Sequence, residues 1–343
     1  MDVTVHRFSD SYRPAWQSLA ETALDSTLAH AAAWLSLIPK ALGHANRSLI
    51  AMRGGEVCGA LPMMLLRHWL LGTFNVSLPW LDYGGIIATD PVASHCLLQS
   101  AITQARTDGA SWIELRSVEK VLSDLPTRDE KVTFFLDLGS VERVWARLDS
   151  KVRNQIRKAQ HSGLTCQFGG VELLADFYQV FARNMRDLGT PVWGIALFHE
   201  ILAAFGKGAE IAVVRQGDRA VAAGLTIAFK DRISMPSASA LRQFRSLSPN
   251  NLLYWEVIKR ACETGYRQFD FGRSTKGSGT YHFKKQWGGT IIPLHWQYVL
   301  LRAKQIPQMN PSNPRFKLLV EAWKRLPVHL ATRLGPRIVR HLP

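Results

Sequence analysis

The chain has 343 residues, 42 Lys+Arg against 27 Asp+Glu, a formal net charge of +15 and 47% hydrophobic residues. That length fits about two domains, and the apolar content supplies two cores and excludes a disordered chain. The basic surplus, with a sequence pI of about 10.0, favours anionic partners such as RNA, phosphate-rich cofactors, nucleotide sugars or an acidic membrane surface. The plain alternative is a solvated basic surface.

The opening MDVTVHRFSD has no positive segment followed by an apolar run, so no signal peptide is expected and the reading places the chain in the cytoplasm. Cys58, Cys96, Cys166 and Cys262 lie far apart, read as buried free thiols and give no metal-ligand spacing. Residues 49–61, LIAMRGGEVCGAL, read as a hairpin turning at Arg53-Gly54-Gly55-Glu56. Residues 61–81 are apolar, but Pro62, Arg67, His68, Asn75 and Pro79 interrupt them. A spanning helix needs about 20 largely uninterrupted apolar residues, so buried strands broken by turns are expected. Residues 96–109 read as a helix with a Leu97, Leu98, Ala101, Ile102, Ala105 stripe and a Gly109 stop, feeding a strand over 112–117.

Residues 140–163 read as one connecting helix. Trp145, Leu148, Val152, Ile156 and Ala159 share a face, Ser140 caps its start and Gly163 ends it. Its other face carries Arg143, Arg147, Lys151, Arg153, Arg157 and Lys158, either a phosphate-binding wall or a solubilising surface. Residues 211–225 repeat the hairpin pattern around Arg215-Gln216-Gly217-Asp218. Residues 252–265 repeat the helix, and 269–274 the strand. Each half thus holds a helix, a hairpin, a strand, a helix and a strand. The offset is far longer than the roughly 20–50 residues of solenoid repeats, which indicates a duplicated α/β lobe.

Between the strand at 233–240 and the second-half helix, Ser248-Pro249-Asn250-Asn251 suits a helix start. With Arg242 and Arg245 just before it, free N–H groups at Ser248, Asn250 and Asn251 suit a phosphate as well as an ordinary capped helix. Asp270 is a candidate proton acceptor or amine ligand, or a strand-end carboxylate paired with Arg267 or Arg273. The glycine-rich loop 272–280 leads into Tyr281-His282-Phe283-Lys284-Lys285-Gln286. If that segment is extended, His282, Lys284 and Gln286 share one side. His282 is a candidate base and Tyr281 a candidate substrate contact.

Phe269-Asp270-Phe271-Gly272-Arg273-Ser274, followed by Gly279-Thr280-Tyr281-x-Phe283-Lys284, resembles the FemAB-like branch of the GNAT acyltransferase superfamily. Ser248-Pro249-Asn250-Asn251-Leu252-Leu253 does the same. Leu78-Pro79-Trp80-x-x-Tyr83-Gly84-Gly85 is similar to that family's Pro-x-x-x-Tyr-Gly-Gly turn, and 151–159 to its basic helix. Met185-Arg186-x-Leu188-Gly189-Thr190-Pro191 is similar to the subgroup associated with exosortase and exopolysaccharide loci, with its BioF2-like acetyltransferase domain.

The resemblance implies an α/β fold of tandem GNAT-like lobes. The expected boundaries are 1–139 and 164–301, with the basic helix 140–163 between them and a basic helical tail over 302–343. It implies transfer of an acyl or aminoacyl group to an amine or hydroxyl of a cell-envelope precursor or exopolysaccharide unit. Lys284 would act near the ester, with Tyr83, Arg157, Arg186 and Thr190 binding substrate. No long helical arm to grip tRNA is visible, so acyl-CoA stands beside aminoacyl-tRNA as donor, and neither is a resident cofactor. A non-catalytic RNA- or membrane-binding protein is the remaining alternative.

In the tail, Arg302, Lys304, Arg315, Lys317, Lys324, Arg325, Arg333, Arg337 and Arg340 face a single acid, Glu321. Phe316, Leu319, Val320, Trp323 and Leu326, then Leu330, Leu334 and Ile338, fall at helical spacing. Such helices suit an anionic membrane surface, as at the inner membrane, or a face packed on the protein body.

Overall fold

A computed structural model of the chain describes residues 2–68, 71–307 and 314–341. The chain divides into two compact units: Met1–Val132, Pro293–Gln308 and His341–Pro343 form one, and Thr133–Ile292 and Met309–Arg340 the other.

The first unit begins with β1 (Val3–Arg7), α1 (Arg13–Thr22), α2 (Trp34–Leu42) and β2 (Ala45–Asn46). Then come the hairpin β3 (Leu49–Arg53) and β4 (Glu56–Leu61), a second hairpin β5 (Met64–His68) and β6 (Gly72–Val76), β7 (Ile87–Ala88), α3 (Pro91–Thr107) and β8 (Trp112–Ser117). Strands β1, β3, β4 and β7 form one sheet, and β6 pairs in parallel with β8. The apolar 61–81 stretch contains β5 and β6, broken strands rather than a span. No helix among the described residues is long and apolar enough to cross a membrane.

Helix α3 starts where Asp90 accepts the amides of Val92 and Ala93, with Pro91 at its first position. Arg53 at the end of β3 bonds the same carboxylate at 2.8 Å, and that guanidinium holds Asp90 well below the usual carboxylate range. Ala93, Leu97, Leu98, Ala101 and Ala105 bury one face of α3 against Leu49, Ala51, Leu61, Ile113 and Leu115.

The strand β9 (Thr127–Asp137) enters the second unit at Thr133. There follow α4 (Val141–Arg147), α5 (Ser150–His161), β10 (Leu164–Gly169), α6 (Leu174–Leu188), α7 (Ile195–Phe205), β11 (Ala209–Gln216), β12 (Arg219–Phe229) and β13 (Arg232–Ala240). Next are α8 (Pro249–Glu263), β14 (Gln268–Asp270), β15 (Ser274–Thr275), α9 (Gly279–Lys285), β16 (Thr290–Leu300), α10 (Pro314–Arg325) and α11 (Val328–Val339). The strand order is β10-β11-β12-β13-β14-β9, and β13 with β14 is its parallel pair.

Both units contain the run strand, helices, antiparallel hairpin, strand, helix, strand, from β1 to β8 in one and from β10 to β14 in the other, with β2 and the second hairpin β5–β6 added in the first. Both hairpins shift register near their turn, at Ala51/Met52 and at Val214/Arg215.

Two segments depart from the sequence reading. The helix expected over 140–163 is two helices, because Leu148 turns extended (ψ 142°) and Asp149 caps a new start by accepting the Lys151 amide at 2.7 Å. Aspartate competes with the helical backbone in an interior and suits an N-cap. The apolar stripe survives the break, since Leu148, Val152, Ile156 and Ala159 are all buried. Residues 279–285, treated as extended, form α9, started by Ser278 accepting the Tyr281 amide at 3.2 Å. The four cysteines are free; Cys58 is buried and the other three are half-buried. Desolvation pushes the Cys166 thiol up to about 12.

The tail helices α10 and α11 lie on α6. Arg186 bonds the Leu326 carbonyl at 2.6 Å, and the Trp323 indole bonds the Thr190 carbonyl at 3.1 Å. Gly189, at φ +78°, leaves room for Val320, whose Cγ1 would lie 2.5 Å from an added Cβ. At Gly335 an added Cβ would stand 2.6 Å from the backbone N and O of Val192. Gly335→Val is therefore expected to displace α11 and to cost about 1–3 kcal/mol, as overpacking does. A lowered urea midpoint and faster proteolytic release of the tail would show it; an unchanged midpoint and cleavage pattern would mean that α11 does not depend on this contact.

Candidate active site

Strands β13 and β14 pair from Arg232↔Gln268 to Ser234↔Asp270. Beyond that point β13 continues beside β12 as far as Ala240, and no strand among the described residues pairs its other edge. Asp270 closes β14 at the place where the strands part. Its carboxylate is buried; one oxygen accepts Thr133 Oγ1 at 2.7 Å and the Gly272 amide at 2.8 Å, and the other accepts Ser234 Oγ at 3.3 Å.

Lys284 arrives from α9, also buried, and its ammonium donates to the carbonyls of Gly272 at 2.8 Å and Arg273 at 2.9 Å. The carboxylate thus takes the N–H of Gly272 and the lysine takes its C=O. An acid and a cation grip one loop residue from opposite sides, inside a site where charges act more strongly than in water.

An aromatic wall fixes the two elements. Tyr254 of α8 meets Phe271 at 5.6 Å and Phe283 at 5.1 Å between ring centroids, and Phe269 meets Phe271 at 4.7 Å. Burial holds the Tyr254 phenol well above its ordinary range. Tyr281 precedes Lys284 by three residues, so the helix places both on one face, with the Tyr281 ring 5.4 Å from Phe134.

His282 is exposed and two residues from Lys284. An extended strand would put those two side chains together; a helix puts them on opposite sides. His282 therefore stands outside the Asp270–Lys284 network.

The phosphate-site candidates surround the start of α8. Arg242 and Arg245 lie exposed in the 3-10 turn Arg242–Leu247, and Asn250 and Asn251 are half-exposed in the first turn of α8. Ser248 occupies the N-cap position but does not cap. In the left-handed region at φ +56° it turns its hydroxyl to Gln155 Oε1 of α5, which ties that basic helix to α8. Arg157 is exposed over the Trp145 ring, 5.5 Å from its centroid, and Trp145 packs on Trp255 of α8 at 4.6 Å.

Arg186 bonds Asp187 as well as the tail, and Thr190 gives its carbonyl to Trp323. Both serve to seat α10. Tyr83 lies buried in the first unit, its carbonyl bonded by Thr27 Oγ1 at 3.0 Å. Asp270 bonds one backbone amide and two hydroxyls, those of Gly272, Thr133 and Ser234. Thr133 and Ser234 escaped the sequence reading, because nothing distinguishes them from other strand hydroxyls until the strands are paired. No group of three or more His, Cys, Asp or Glu among the described residues is placed to hold a metal ion.

Residues 146–285 match the family of the acetyltransferase (GNAT) domain. This segment is a GNAT acyltransferase domain. A comparison with curated proteins finds no sequence match. Among solved structures, FemX is similar at 15% identity over 87% of this chain and 98% of its own, with a TM-score of 0.66. L-PGS from Bacillus licheniformis gives 11% identity over 94% and 99%, at 0.58. A tandem GNAT protein from the clavulanic acid biosynthesis pathway gives 13% over 87% and 97%, at 0.54. At these identities the likeness is one of fold, mixed α/β and GNAT-like in tandem.

The GNAT match gives the chain an acyltransferase domain over residues 146–285. A GNAT domain uses its acyl donor as a substrate rather than as a resident cofactor. Acyl transfer needs a held nucleophile, a proton acceptor and positive or N–H groups near the developing oxyanion. The matched segment contains Asp270 and Lys284, with the aromatic wall beside them.

Proposed function

We propose that this acyltransferase moves an acyl or aminoacyl group to an amine or hydroxyl of a cell-envelope precursor or exopolysaccharide unit. The observation that carries the reading is the buried Asp270–Lys284 pair at the point where β13 and β14 part, inside the GNAT-matched segment. The unpaired edge of β13 over 235–240 offers backbone N–H and C=O groups to an extended donor arm, as any sheet edge does. Arg242, Arg245 and the Asn250 amide at the start of α8 suit the donor's phosphates. In this reading Lys284 stabilises the oxyanion through its charge, and Asp270 holds the loop and receives the acceptor's proton.

An acyl-CoA donor is favoured by that compact phosphate cradle. A lipid-carried acceptor suits a chain placed peripherally at the inner membrane. The test is transfer of labelled acyl groups from acetyl-CoA and from aminoacyl-tRNA to amino-sugar and lipid-linked acceptors. Binding of a tRNA donor should fall steeply with salt and binding of acetyl-CoA shallowly. Absence of transfer from both donors to every acceptor overturns the reading.

A further inference from the structure

Helix α11 uses only part of its apolar surface within the protein. Ala331, Gly335 and Val339 form the buried stripe, with Gly335 pressed on Val192. One position earlier on each turn stand Leu330, Leu334 and Ile338, which are 36%, 40% and 43% exposed. Arg333 and Arg337 are exposed on the far side of that second stripe. On α10, Leu318 is 82% and Leu319 66% exposed. The one acid of the tail, Glu321, bonds Lys324 at 2.6 Å.

We propose that this face of α11 seats the protein on an anionic lipid bilayer. Leu330, Leu334 and Ile338 enter the headgroup boundary, and Arg333 and Arg337 meet lipid phosphates. Charge selects this occupant. An apolar stripe flanked by guanidinium groups complements a surface that is negative above and apolar below. A second copy of the chain would bring the same arginines against one another. The face is free to do this because the neighbouring stripe already anchors α11 to the body. The inference deepens the proposed inner-membrane position, and its test reads no turnover, so it fails or survives apart from the acyl-transfer reading.

The experiment is flotation of the full chain with vesicles of phosphatidylcholine alone, or containing about a third phosphatidylglycerol. Binding is expected to the anionic vesicles at low salt, to weaken at high salt and to be slight on neutral ones. Arg333→Glu with Arg337→Glu should lower partition by about tenfold or more, since each basic residue near such a surface contributes on the order of fivefold. Leu330→Gln, Leu334→Gln and Ile338→Gln together should abolish it. All five positions are exposed, and unchanged circular dichroism and melting would show the variants folded. No binding of the intact chain to anionic vesicles at low salt overturns the proposal. So does binding that both sets of variants leave intact, or a solution dimer that the glutamine substitutions dissociate.

Discussion

Lys284→Met is expected to lower turnover by about 10²–10³-fold, the cost of removing one preorganised group from a developing oxyanion. Methionine keeps the length and the apolar stem and removes the ammonium. The carbonyls of Gly272 and Arg273 then lose their donor in a buried setting. A stability loss of about 1–3 kcal/mol should accompany the loss of rate, so a melting temperature blind to this change is not expected. Turnover is to be measured below the variant's unfolding range, beside its urea midpoint. Unimpaired turnover in a folded variant removes Lys284 from the chemistry. Asp270→Asn grips the same loop residue from its other side, so the two substitutions should combine non-additively. Simple additivity would mean that the pair does not act as a unit.

Much of the fold was legible because its signals are local. Arg53-Gly54-Gly55-Glu56 and Arg215-Gln216-Gly217-Asp218 mark the turns of β3–β4 and β11–β12. Pro249 stands at the first position of α8, while the helix read from the Leu97 stripe over 96–109 begins earlier than read, at Pro91. The misreadings came where a local signal had two uses. Asp149 sits in a strong helical stripe, and only its capping of Lys151 shows that the helix restarts there. Ser278-Gly279-Thr280 reads as loop, yet Ser278 caps α9. That cap decides whether His282 or Tyr281 accompanies Lys284. Asp270 and Lys284 were visible through a family resemblance, whereas Thr133 and Ser234 acquire meaning only once β9, β13 and β14 lie side by side. In the motif at 185–191, Gly189 makes room for Val320 of α10 and Arg186 bonds the Leu326 carbonyl that follows it.

Glu114→Ala is expected to destabilise the first unit by about 3–5 kcal/mol, the cost of stranding one partner of a buried ion pair. Glu114 and Arg116 alternate with Ile113 and Leu115 along β8, two charges on one side of a strand whose side chains are nearly all buried. Their side chains are 5% and 1% exposed and meet at 2.7 Å. The Arg116 guanidinium also bonds the Leu81 carbonyl at 2.8 Å and lies 4.2 Å from the Trp296 ring centroid. Its backbone accepts the Gly84 amide at 2.8 Å and donates to Ser77 Oγ at 2.7 Å. One arginine thus holds both ends of the turn that carries Tyr83. That turn needs holding, because Leu78 and Trp80 sit at φ +63° and +78°, conformations that L side chains keep only when the surroundings impose them. Burial, with Glu114 beside it, drives the Tyr298 phenol far above its ordinary range, a sign of how dry the pair's surroundings are. Without Glu114 the guanidinium keeps its charge and loses its counter-ion, so amide exchange should quicken first across 77–85. Urea unfolding and hydrogen exchange measure both effects. Glu114→Leu combined with Arg116→Met should recover most of the lost stability, because the desolvation cost disappears with the charges. A loss below about 1 kcal/mol in Glu114→Ala would mean that water reaches Arg116, and the turn would then owe its strained shape to His30 and Thr27, which bond Gly85 and Tyr83.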